Sequence, residues 1–98
     1  MYIITLRFSD NKAKAKEYME GHKAWISDGF KDDVFLYVGS LQPNAGGVLL
    51  AHNATPEEIQ ERVNQDPFVI ENIVTADILE TTPGRTDSRL EFLTAKAA

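Results

Sequence analysis

The chain has 98 residues, a formal net charge of −5 and no cysteine. That length suits one domain, with a core large enough to fold and small enough to gain from a partner. The acidic balance argues against non-specific binding to nucleic acid or an anionic membrane, and the missing cysteines exclude disulfides, thiolate nucleophiles and thiolate metal sites.

The first residues lack the charged n-region of a signal peptide, and polar residues return by Thr5. No apolar run approaches membrane-spanning length, so a soluble cytoplasmic protein is the default expectation. Tyr2, Ile4, Leu6 and Phe8 alternate with Ile3, Thr5 and Arg7, which predicts a first strand. Ser9, Asp10 and Asn11 offer caps for a helix over residues 11–30. There Ala15, Tyr18, Met19, His22, Trp25, Ile26 and Phe30 recur at helical spacing. Lys12, Lys14 and Lys16, followed by Glu17 and Glu20, read as its solvated face, and Lys23 lies on another polar face. Gly21 costs about 1 kcal/mol relative to Ala and permits close packing beside His22.

Residues 34–41 form an expected second strand that is apolar on both faces, with Val34, Leu36 and Val38 on one and Phe35, Tyr37 and Leu41 on the other. Residues 42–47 punctuate a turn, and residues 48–52 make a third strand in a hairpin with the second. Thr55-Pro56-Glu57-Glu58 has the composition of a capping box with proline at the first helical position. In that second helix Ile59, Val63 and Asp66 fall at i, i+4 and i+7, so a carboxylate continues the inward stripe. Pro67 should end the helix at Asp66. A last strand covers residues 73–80. A polar tail then follows around the small apolar knot of Leu90, Phe92 and Leu93.

The order β-α-β-β-α-β predicts an α+β, ferredoxin-like fold, a four-stranded antiparallel sheet with two helices on one face. The bare face of the middle strands is apolar, and burying it against a second copy predicts a homodimer, with higher assembly left open. The expected domain spans residues 1–83, and the extension 84–98 is expected to pack on the partner chain.

Two polar residues interrupt the inward stripes. His22 reads either as a core histidine or as a working group, and Asp66 either caps a short turn starting at Pro67 or orients a neighbour. If the two helices bring them together in a cleft, the carboxylate fixes the imidazole tautomer and leaves the other nitrogen as a general acid or base. The expected cleft is lined by Trp25, Phe68 and the strand carrying Ser40. Ser40 is a hydrogen-bonding candidate, not a nucleophile, because no G-x-S-x-G surrounds it. His52 reads as a surface or turn histidine. The histidines lack metal-site spacing, and Gly46-Gly47 leads into a strand, not a phosphate-binding helix, so neither metal nor cofactor is expected.

The start MYIITLRF, His22 within GHKAWI, Gly39-Ser40-Leu41-Gln42-Pro43 leading to Gly46-Gly47-Val48-Leu49-Leu50-Ala51, and Gln65-Asp66-Pro67-Phe68 together resemble the YciI-like (YCII-related) proteins over residues 1–83. The resemblance implies a dimeric α+β barrel with a His22–Asp66 active site between helices and sheet. It also implies cofactor-independent proton transfer on small ring or lactone-type substrates. One relative is a dehydrochlorinase of a chlorinated hydroxyhydroquinone, and muconolactone isomerases share the wider superfamily. Where the family often has Gly-Pro after the second strand, this chain has Gly39-Ser40-Leu41-Gln42-Pro43. Two functions are therefore carried forward. One is a small lyase or isomerase using His22 and Asp66, and the other is a non-catalytic small-molecule binding or accessory module.

Overall fold

The computed structural model of the chain describes residues 1–95. Four strands form one antiparallel sheet: β1 (Tyr2–Phe8), β2 (Phe35–Leu41), β3 (Gly46–Ala51) and β4 (Val74–Glu80), in the order β2-β3-β1-β4. Helix α1 (Ala15–Lys31) follows a short 3-10 turn, and α2 (Pro56–Val63) and α3 (Pro67–Ile70) follow β3. A second 3-10 turn at Ser88–Leu90 leads into the short helix α4 (Phe92–Ala95). The fold is α+β and ferredoxin-like, as the element order predicts. Among the described residues no helix is long and apolar enough to cross a membrane.

The helix-covered face of the sheet carries the core. Ile4, Leu6, Phe35, Leu49, Ala51 and Val74 are buried there with Trp25 of α1, Ile59 and Val63 of α2, and Phe68 of α3. Helix α1 sits very close to β2 because Gly29 has no side chain: a Cβ at that position would lie 2.1 Å from the Phe35 ring. The same glycine's carbonyl accepts the Val34 N–H at 2.9 Å, and the Val34 carbonyl accepts the His52 N–H at 2.9 Å. Backbone hydrogen bonds thus tie the end of α1 to the ends of β2 and β3.

Three details depart from the sequence reading. Strict alternation over 34–41 is broken by a bulge between Phe35 and Tyr37, so Phe35 and Val38 both face the helices while Tyr37 faces away. An extra residue in one strand shifts the side-chain parity beyond it. Strand β3 begins at Gly46 and not at Val48, because Gly46 already pairs with Arg7 and Leu41. Ahead of α1, Asn11 makes no side-chain cap. Instead, the Ser9 hydroxyl accepts the Asn11 N–H at 3.0 Å.

The opposite sheet face has no covering layer among the described residues. Leu79, Ile3, Leu50 and Tyr37 form one cross-strand row over all four strands, with Leu79 57% and Tyr37 50% exposed. In the tail, Phe92 rests edge-on against His52 of its own chain, 5.5 Å between ring centroids. Residues 96–98 of the expected extension lie outside the described residues.

Candidate active site

The capping box forms as its composition predicts. Thr55 Oγ1 accepts the Glu58 N–H at 3.2 Å, and the Glu58 carboxylate accepts the Thr55 N–H at 2.8 Å. Helix α2 ends at Val63, earlier than the stripe alone suggests, and Asp66 is extended at φ −64°, ψ 122°. Proline disfavours helical geometry in the residue before it, which accounts for the break. Asp66 is nevertheless fully buried. One of its oxygens, Oδ1, accepts the Phe68 N–H at 3.0 Å and so caps α3.

The same Oδ1 meets His22 Nδ1 at 2.8 Å. Cap and dyad, set against each other in the sequence reading, are both present on one carboxylate oxygen. An ionised carboxylate only accepts, so Nδ1 is the donor in this contact, and in the neutral imidazole Nε2 then keeps its lone pair. The second oxygen, Oδ2, is buried and has no hydrogen-bond partner among the described residues.

The approach of α1 to α3 depends on Gly21. A Cβ at Gly21 would sit 3.1 Å from the Pro67 ring, so that the ring would have to give by a few tenths of an ångström beside His22 and Asp66. Phe68 then stacks on the imidazole with ring centroids 3.9 Å apart and planes inclined by 2°. Trp25 is a second, looser stacking neighbour at 5.9 Å. Carboxylate and aromatic faces together restrict the rotation of the His22 ring.

His22 forms part of the wall of a cavity of about 360 Å³ between the helices and the sheet. Phe68, Ser40 and Lys23 also line it, and the remaining surface is mostly apolar, with Met19, Ile26 and Val38 among its side chains. Since Nδ1 is engaged with Asp66, Nε2 is the nitrogen available to a molecule in this cavity. Trp25 is not on the wall. It is buried, its indole N–H donates to the Arg62 carbonyl at 2.9 Å, and it supports α1 against α2. Of these three residues, Phe68 and Ser40 line the cavity and Trp25 does not.

Lys23 is the wall residue that sequence reasoning did not single out. Helical periodicity places it on a polar face, and only the position of β2 shows that this face borders the cavity. His52 lies elsewhere, at the end of β3, with Nε2 3.7 Å from Asp33 Oδ1. Among the described residues no group of three or more metal-ligating side chains is placed to hold an ion.

Fold and site together define a ferredoxin-like α+β protein with a buried His–Asp pair behind a small apolar cavity. No protein-family model matches the chain, and no curated protein matches it in sequence. Its structure is similar to that of 5-chloro-2-hydroxyhydroquinone dehydrochlorinase (TftG) from Burkholderia phenoliruptrix AC1100 in complex with 2,5-dihydroxybenzoquinone. The TM-score is 0.68 at 14% identity, covering 86% of this chain and 96% of that one. At this identity the likeness is one of fold.

Proposed function

We propose that this is a YciI-like, cofactor-independent lyase or isomerase of the dehydrochlorinase kind, acting on a small cyclic or lactone-type substrate. The supporting observation is the 2.8 Å contact between His22 Nδ1 and the buried Asp66, made by a histidine that lines a cavity. Asp66 holds the tautomer and stabilises the imidazolium when Nε2 takes a proton from the substrate. In an isomerase the proton returns to a different ring atom. In a lyase the electron pair it leaves expels a leaving group such as chloride, and the imidazolium passes its proton to solvent. Apolar walls keep water from competing, and the Ser40 hydroxyl would donate a hydrogen bond to a ring oxygen, a role supported by that residue's position on the wall.

The same reading makes the protein a homodimer whose uncovered sheet face, with the Leu79–Ile3–Leu50–Tyr37 row, is buried against a second copy, and whose extension from residue 84 packs on the partner. An apolar row spanning all four strands is the kind of exposed patch that marks an interface. A stable monomer in sedimentation at micromolar concentration would exclude this assembly.

The catalytic reading is tested with 5-chloro-2-hydroxyhydroquinone and a panel of small lactones, following chloride release and ultraviolet absorbance. Turnover should fall by ~10²–10⁴-fold in His22→Ala. Equal rates in wild type and variant would overturn the proposal. Ligands that shift the His22 resonances without being turned over would favour the accessory binding module.

A further inference from the structure

We infer that Lys23 selects an anionic substrate, a single-ring molecule with an ionised oxygen such as a phenolate, enolate or carboxylate. The inference rests on the acid/base reading of His22 and adds to it the charge and size of what enters. The chain carries a net charge of −5, yet among the described residues no aspartate or glutamate lines the His22 cavity, and Lys23 is the one wall residue there with a permanent charge. Lys23 makes no ion pair among the described residues, so its ammonium is uncommitted. It is exposed while still contributing to the wall, which suits an apolar stem along the cavity and a charged head at its mouth. Asp66 lies behind His22 and not on the described wall, so a cation at the mouth of this cleft attracts an anion to a chain of net negative charge.

The position also fits the chemistry. Lys23 follows His22 directly on α1, so one helical segment supplies the proton-transfer group and the positive charge. Removing a proton from a hydroxylated ring places negative charge on its oxygen, and an ammonium beside that oxygen stabilises it as it develops. Ser40 on β2 supplies a hydrogen-bond donor from the sheet side of the cavity. A volume of about 360 Å³ lies at the small end of ligand pockets and has room for a single ring.

The test measures binding, not turnover. The probe is 2,5-dihydroxybenzoquinone, which is ionised at neutral pH, and its 2,5-dimethoxy derivative is the neutral control. Both are titrated by calorimetry into wild type, Lys23→Met and Lys23→Arg, with the His22 resonances reporting that the probe occupies the cavity. The Kd of the anion should rise about fivefold in Lys23→Met, equivalent to ~1 kcal/mol, recover in Lys23→Arg and lose most of its salt dependence in Lys23→Met. The neutral control should bind wild type and Lys23→Met alike. An anion Kd and salt dependence unchanged by Lys23→Met would overturn the inference, as would failure of the anion to bind wild type. His22→Ala separates the two claims. If the anion still binds through Lys23 and no variant or wild type turns over any ring substrate, the catalytic reading fails and the charge selection stands.

Discussion

His22 and His52 each face an aspartate, at 2.8 Å and 3.7 Å. The two histidine side chains are similarly sheltered, 14% and 15% exposed, so burial of the imidazole does not separate them. Their carboxylates do. Asp66 is fully buried and held by the Phe68 N–H, whereas Asp33 is 79% exposed on a residue with φ 60°. A carboxylate fixed by a cap can orient an imidazole, while one free in solvent at 3.7 Å is beyond hydrogen-bond reach. The unsatisfied atoms differ accordingly. At the first pair it is the spare oxygen of Asp66, and at the second it is His52 Nε2 itself. Only His22 also has a parallel aromatic stack and a cavity beside it, since His52 meets Phe92 edge-on. Proximity of two residue types is therefore a poor guide to function unless the carboxylate is immobilised.

The largest effect is expected from a change that breaks both pairs together. Gly29→Ala would place a methyl inside the Phe35 ring, and overpacking of this kind should cost about 3 kcal/mol. Gly29 is bonded through Val34 to His52 and lies on the helix that carries His22, so both histidines should lose order. The urea midpoint and the two imidazole resonances measure this. An unchanged midpoint would show that the close seating of α1 on β2 is not structural.

A smaller change separates the pairs. Asp66→Ala removes a cap and the acceptor for the imidazole N–H, and should cost about 2 kcal/mol while the His22 Nδ1 proton signal disappears. Asp33→Asn, chosen because asparagine tolerates positive φ, should stay within about 0.5 kcal/mol of wild type. Equal costs in the two variants would abolish the distinction between them.

The smallest effect concerns the tail over His52. The backbone N–H and guanidinium of Arg89 hold the Asp87 carboxyl below the usual carboxylate range. A depressed carboxyl contributes stability above its ordinary value, and that contribution is lost as pH falls below it. Acidification should therefore loosen the turn at Ser88–Leu90 and separate Phe92 from His52, leaving the His22–Phe68 stack in place. Contacts between the rings, followed by nuclear Overhauser effects, should weaken with acid in wild type and already be weak at neutral pH in Asp87→Ala. A Phe92–His52 contact that survives acid unchanged would show that the Asp87 cap does not hold the tail.

What the sequence determined by itself was local in origin. Strand alternation in β1, the helical spacing through His22 and Trp25, and the capping box from Thr55 to Glu58 each depend on residues a few positions apart, where backbone geometry leaves few options. Those elements, taken in order, dictate the ferredoxin-like topology, and the inward spacing of Asp66 pointed to a buried carboxylate even though α2 stops at Val63. Tertiary structure alone decided everything that required two distant segments to meet. The bulge at β2 turned Val38 toward the helices, and Trp25 went to the α1–α2 contact and not to the cavity wall. Lys23 became a cavity residue only because β2 passes beside that turn of α1. The choice between cap and dyad at Asp66 was likewise not local. A carboxylate oxygen has two lone pairs, and only the packing of α1 against α3 brings His22 to the one that the Phe68 N–H leaves free.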